Sequence, residues 1–353
     1  MDIVMDINFY RNKKVFITGH TGFKGSWLSQ ILVMFGAEVS GYSLAPIAPA
    51  NLFELCNISQ NVKSYFGDIR DFDNLIKVFQ KIKPDIVIHL AAQPIVRDSF
   101  KFPRNTYEIN VMGTVNILEC IRQSTCVKSF LNVTTDKVYE NKEWMWGYRE
   151  NETLNGFDPY SNSKSCSDLA TSCFRSCFFD DLNIAISTAR AGNVIGGGDF
   201  TSDRIIPDCV RAAHNKESII VRNPNSVRPY QNVLDCLSGY LTLVQKQYEN
   251  KKFSGCYNFG PYSEDCVTNE FLVGNFCKIW GDGLNWYIKS DNGPHEATYL
   301  KLDSTKAKST LGWCPKWDIN MALKKTVEWY KAWVTGENAE NITKIQIRDY
   351  FDI

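Results

Sequence analysis

No apolar run in these 353 residues reaches the about 18 that a membrane-crossing helix needs. The first dozen residues lack the basic start and apolar core of a secretory signal, so a soluble, cytoplasmic protein is expected. Charge of one sign is missing too. Lys and Arg together number 39, as do Asp and Glu, so no net field recruits nucleic acid or an anionic membrane. Any phosphate must be held by local groups. The twelve cysteines include no Cys-x-x-Cys and no neighbouring histidine pair. Cys166, Cys173, Cys177, Cys209 and Cys236 lie singly in apolar or helical stretches, which suits buried thiols in a reducing compartment, and no metal site is expected. No internal repeat or low-complexity tract is present.

What is there is an alternation of short β-branched runs with helical stretches. Val15, Phe16, Ile17 and Thr18 lead into a helix over 25–35; a strand follows at 38–42, a helix at 71–82 and a strand at 85–90. Further units are a helix at 105–122, a strand at 129–134, a helix at 159–178 and a strand at 184–189. Such alternation predicts an α/β fold of the Rossmann type, a doubly wound parallel sheet covered on both faces. After Gly192 the rhythm breaks into glycine-rich loops, short strands at 218–221, 256–259 and 286–289, and helices at 233–248, 268–280 and 319–334. A smaller C-terminal α/β substrate-binding lobe is expected, dividing the chain at 13–190 and 191–335, with some interleaving and a tail at 336–353.

Two segments far apart carry the chemistry. Gly19-His20-Thr21-Gly22-Phe23-Lys24-Gly25 stands where a strand turns into a helix. Glycines there permit a tight turn, the approach of backbone to a pyrophosphate, and close packing of helix on strand. Tyr160-Ser161-Asn162-Ser163-Lys164 puts a phenol and an ammonium one helical turn apart. An ammonium beside a phenol and a nicotinamide ribose should pull the tyrosine pKa toward neutrality, so that Tyr160 accepts a proton from an alcohol as hydride leaves carbon.

Around these lie weaker candidates. The second strand ends in Gly41-Tyr42-Ser43, without an acid for a ribose or an arginine for a 2′-phosphate, which favours NAD over NADP. Asp68 and Ile69 are placed to touch adenine, unless the acid serves the start of the next helix. Leu90, Ala91 and Ala92 put small residues where a dinucleotide crosses the strand ends, although packing explains the alanines equally well. His89 reads as a core histidine. Thr134-Thr135-Asp136-Lys137 closes another strand. A dehydrogenase or epimerase needs only a hydroxyl there, whereas the carboxyl of Asp136 can protonate a departing hydroxide.

With these residues in view, the chain resembles the nucleotide-sugar 4,6-dehydratases of the extended short-chain dehydrogenase/reductase superfamily. The resemblance runs over nearly the whole chain and is most particular in residues 18–27, 41–46, 223–235, 294–297 and 302–303. It implies a lyase in which bound NAD takes hydride from C4 of the hexose, water is lost across C5 and C6, and the hydride returns to C6. By position, Tyr160 is the base at O4, supported by Lys164 and Thr135, and Asp136 protonates the C6 hydroxyl. Lys137 stands where the dTDP-sugar branch has a glutamate that takes the C5 proton. Held neutral, it would be that base; charged, it would stabilise the enolate. A lysine there points to CDP-glucose as substrate, with GDP-mannose, a GDP-heptose or dTDP-glucose, or a 4-epimerase, as alternatives. The nucleotide sugar is expected to meet Gln93, Asn193, Arg204, Arg228 and Glu296. The arginines either clamp the pyrophosphate or sit in surface ion pairs, and Glu296 either meets a ribose or caps a turn. The resemblance further implies a homodimer, or a tetramer, and a product used for deoxysugars of bacterial surface polysaccharide.

Overall fold

The computed structural model describes residues 5–46, 50–289 and 297–353. Its organising element is a sheet of parallel strands: β1 (Lys14–Thr18), β2 (Glu38–Ser43), β3 (Lys63–Phe66), β4 (Ile86–His89), β5 (Ser129–Val133), β6 (Ala185–Ala191) and β7 (Cys256–Phe259). The spatial order is β7-β6-β5-β4-β1-β2-β3. Strand order reverses between β1 and β4, and at such a switch point the carboxyl ends of the strands leave a crevice for a ligand.

Side chains alternate across the pleat, so each strand feeds two cores. Val15, Ile17, Ile86, Ile88 and Leu131 face one side, where α1 (Phe23–Met34) packs with Trp27, Leu28 and Ile31. Phe16, Val87, Phe130 and Ile186 face the other, against Leu75 and Phe79 of α2 (Phe72–Ile82) and Ile117, Leu118 and Ile121 of α3 (Gly113–Arg122). The expected helix over 105–122 is not regular. A wider, π-type turn at Glu108–Met112 separates Pro103–Tyr107 from α3. The helix bearing Tyr160, α4 (Pro159–Phe174), starts behind Asp158, which accepts a hydrogen bond from the Ser161 backbone; Pro159 occupies the first turn, where its missing N–H costs nothing.

Residues beyond 191 enter the large sheet as well as the small lobe. Cys256–Phe259 belongs to the large sheet, paired in parallel with β6 from Cys256 opposite Thr188 to Phe259 opposite Ala191. Without it the outer edge of β6 would bury unpaired backbone groups. The helix α5 (Val233–Glu249) likewise packs under β5, where Ser129 donates to the Val244 carbonyl at 3.1 Å. Residues beyond 191 therefore complete the dinucleotide-type domain as well as forming a small lobe, in which Ile219–Val221 pairs with Trp286–Ile288.

The expected tail at 336–353 is instead largely a packed helix. Ala339–Phe351 forms α7, capped by Asn338 and packed beside α6 (Ile319–Val334). Ile342, Thr343, Gln346, Ile347 and Tyr350 recur at helical spacing and are buried. The cysteines are less uniformly buried than expected. Cys209 and Cys236 are buried thiols, but Cys173 and Cys177 lie exposed on one helix face with sulfurs 3.9 Å apart, and Cys166 is half-buried. Among the described residues no helix is long and apolar enough to cross a membrane.

Candidate active site

The glycine turn is a cradle whose shape follows from missing side chains. Gly19 adopts φ +77°, and a Cβ on it would stand 2.7 Å from the Ala91 nitrogen. A Cβ on Gly25 would stand 2.1 Å from the Gly19 carbonyl oxygen, so α1 can only lie this close because Gly25 is bare. Gly22 differs: its open side meets nothing nearer than the Gly19 oxygen at 3.4 Å. It caps α1 without any side-chain oxygen, and the first-turn N–H groups with Phe23 are left for an outside acceptor at the positive end of the helix. These residues fit a dinucleotide pyrophosphate.

His20 is buried, its Nε2 3.0 Å from Ser64 Oγ, and burial lowers its pKa to about 4. The ring occupies the space that a side chain on Gly41 would need. In place of a ribose-binding acid the end of β2 offers hydroxyls: Thr21 Oγ1 lies 2.8 Å from Ser43 Oγ and donates to the Leu44 carbonyl. Asp68 is engaged by Arg70 at 2.6 Å, and that hydrogen bond holds its carboxyl below the usual range. The cap of α2 is Asp71, not Asp68. Ile69 is buried against Gly113. Leu90, Ala91 and Ala92 follow β4 at the switch point, with the Ala91 nitrogen near Thr18 Oγ1. His89 is a satisfied core histidine, 2.6 Å from Thr18 Oγ1 and 3.2 Å from Thr114 Oγ1, with its pKa lowered to about 3 by burial and then by Lys164.

A cleft of about 320 Å³ opens beside this cradle. It brings together Thr135, Asp136, Lys137 and Tyr160 from the sheet side and Asn193, Arg204 and Arg228 from the segments beyond β6. Arg204 pairs with Asp199 at 3.1 Å, and buried Arg228 donates to the Val227 and Ala297 carbonyls. Gln93 is not among the lining residues; its amide is taken up by the Ile95 backbone. Glu296, with His295, lies outside the described residues. Lys24, Tyr230 and Asn269 line the cleft without having been singled out. Lys24 and Tyr230 fall within the stretches 18–27 and 223–235 that carry the resemblance, whereas Asn269 left no local signal.

Electrostatics separate the two acids of the site. Asp136 is buried; Oδ1 accepts from Thr135 Oγ1 at 2.9 Å and Oδ2 has no partner. Burial raises its pKa against the pull of Lys137, Thr135, Arg228 and Lys24. Burial thus favours the protonated form over that of an exposed carboxyl, and one oxygen is free to deliver a proton. Tyr160 departs from the expectation. Burial pushes the phenol up to about 12, opposed first by Arg204 and then by the Thr135 hydroxyl, while Lys164 is not among the groups that lower it. Lys164 donates to the Val133 carbonyl at 3.0 Å, and burial, with Lys24, lowers its pKa to about 8. The ammonium is thus spent on the end of β5 and does not by itself make the phenolate.

The GDP-mannose 4,6 dehydratase family profile matches residues 16–326. The chain belongs to this family. Among individual members of these dehydratases, the CDP-glucose 4,6-dehydratase of Salmonella typhimurium is 49% identical over 98% of this chain and 98% of its own length. The fold of an epimerase from Methanothermobacter thermautotrophicus superposes with a TM-score of 0.80 at 21% identity, covering 97% of each chain. That of the dTDP-glucose 4,6-dehydratase of Bacillus anthracis, solved with NAD, gives 0.75 at 21% identity over 90% of this chain and 96% of that one. Dehydratases and epimerases thus share this architecture, and the fold alone does not choose between them.

Proposed function

We propose that the protein is a lyase converting CDP-D-glucose to CDP-4-dehydro-6-deoxy-D-glucose and water with bound NAD. The observation that carries this reading is Asp136: a buried carboxyl with a raised pKa and an unpartnered oxygen, next to Thr135 and in one cleft with Tyr160. A 4-epimerase or simple dehydrogenase has no use for such an acid. The near full-length relative and Lys137 after Asp136 support the cytidine nucleotide and glucose.

When bound, NAD supplies an acceptor for hydride from C4 and returns it at C6. The Gly19–Gly25 turn would hold its pyrophosphate, with Thr21 and Ser43 toward the ribose and Lys164 at the nicotinamide end. Tyr160, ionised with the help of Arg204 and the Thr135 hydroxyl, which oppose its burial, takes the proton from O4. Asp136 gives its proton to the C6 hydroxyl, which leaves as water. Lys137 faces the C5 proton from the same turn. Asn193, Arg204 and Arg228 hold the sugar and its pyrophosphate by charge-assisted hydrogen bonds. A homodimer through the 105–122 and 159–178 segments is supported by exposed Met112, Leu169 and Phe178 on them.

The test is incubation with CDP-glucose, followed by the alkali-induced absorbance of a 4-keto-6-deoxy sugar. The expected result is product, with deuterium from C4 recovered at C6. Product from dTDP-glucose, UDP-glucose or GDP-mannose alone would overturn the choice of nucleotide; an epimer without loss of water would overturn the dehydratase.

A further inference from the structure

Behind the cleft lies a buried ion pair with no direct access to substrate. Asp168 and Arg190 have side chains 1% and 2% exposed, and neither lines the cleft. Arg190 grips the carboxylate in a fork, Nε to Oδ2 at 2.8 Å and Nη2 to Oδ1 at 2.9 Å. A buried pair of this kind is weak evidence for stability, because desolvation offsets most of the attraction. Its further contacts indicate what it does. Asp168 Oδ2 accepts from Thr134 Oγ1 at 3.2 Å, immediately before Thr135 and Asp136. Arg190 Nη1 donates to the Tyr139 hydroxyl at 2.9 Å, immediately after the Asp136–Val138 turn. Tyr139 in turn donates to Asn258 Oδ1 on β7 at 2.7 Å.

The same helix makes the other bonds to that turn. Tyr160, Lys164 and Asp168 recur every four residues on one face of α4. Lys164 bonds the Val133 carbonyl at 3.0 Å, and Ser165 Oγ bonds the Val138 carbonyl at 2.7 Å. We infer that the Asp168–Arg190 pair is a positioning device, which ties both ends of the turn bearing Asp136 to the helix bearing Tyr160 and so sets the spacing of acid and base. The inference rests on the acid role proposed for Asp136.

Tyr139→Phe removes one buried hydroxyl and cuts the link of the far end of the turn to the ion pair, leaving the Asp168 fork and the Ser165 bond to the Val138 carbonyl intact; Asp168→Asn weakens both ends. With CDP-glucose, KM should stay within about twofold, and kcat should fall about 10-fold and about 100-fold respectively, since small misplacements of a catalytic group act on the chemical step. Quenching with borodeuteride and weighing the sugars should reveal hexose that was oxidised but not dehydrated. The basic limb of the kcat profile should move to lower pH as water reaches Asp136, which otherwise has Thr135, Lys137, Lys24, Arg228, Tyr160, Tyr240 and Cys266 around it. If Tyr139→Phe kept the parental kcat, product ratio and profile, the clamp would be refuted, and this variant decides alone should Asp168→Asn not fold. Asp136→Asn, run beside them, separates the two ideas. Continued elimination there removes the acid role itself, whereas its loss together with an unaffected Tyr139→Phe removes only the clamp.

Discussion

The sharpest stability prediction concerns Gly41→Ala, one added methyl in the middle of β2. A Cβ at this position would stand 2.1 Å from Cγ, 2.3 Å from Cδ2 and 2.4 Å from Nδ1 of His20. The strand cannot retreat, because Gly41 is paired with Ile17 on one side and Ser64 on the other. The imidazole must move, yet it stands edge-on to Phe53 at 5.3 Å and near-parallel to Phe66 at 6.4 Å. Displacement gives up the bond to Ser64 and forces a strained rotamer, so the cost should be about 2–4 kcal/mol. Equilibrium urea unfolding of the parent, Gly41→Ala, His20→Ala and the double variant measures it. Removing the ring should relieve the clash, giving a favourable coupling of at least about 1 kcal/mol for this contacting pair. A loss below about 0.5 kcal/mol in Gly41→Ala, within the range of ordinary surface changes, or strict additivity in the cycle, would refute the steric argument.

Other outcomes follow from the site and its surroundings. Asp136→Asn should lower turnover about 10²- to 10⁴-fold, the usual worth of a general acid, with un-eliminated 4-keto hexose detectable by mass spectrometry. Lys137→Ala should retain some C4 oxidation while losing elimination; equal loss of both steps in a single turnover would contradict its assignment to C5. Asp235 is buried with Oδ1 accepting from Tyr350 and from the Lys316 and Trp317 backbones, and burial raises its pKa to about 6. The native state then binds the Asp235 proton more tightly than the unfolded chain. Its contribution is present at acid pH and is lost as pH rises from about 4 through about 6, by on the order of 3 kcal/mol. Buried His20 and His89 run the opposite way, so the diagnostic is the difference in unfolding free energy between the parent and Asp235→Asn across pH 4.5–7, which should grow with pH in favour of the variant.

How much was legible beforehand depended on how local the cause was. Strand–helix alternation, the bare glycines of the 19–25 turn and the four-residue spacing of Tyr160 and Lys164 are consequences of neighbouring residues, and they survive into the structure with shifts of a residue or two. The C-terminal helix was legible in principle, since Ile342, Gln346, Ile347 and Tyr350 recur at helical spacing, but its polar faces and position after a glycine disguised it. Gly41 carried no local signal, because its reason is a histidine ring arriving from another strand end.

What the chain order alone determined, then, is which atoms are available: glycines where backbone must meet phosphate, a phenol and an ammonium one turn apart, a carboxyl after two threonines. Only the packed molecule decided what those atoms do. Burial raises both the Tyr160 phenol and the Asp136 carboxyl, Lys164 is turned to a strand carbonyl, and Asp168 with Arg190 reaches both ends of a turn. Desolvation and long-range hydrogen bonds depend on residues that are distant in sequence and adjacent in space, so no window of the chain contains them.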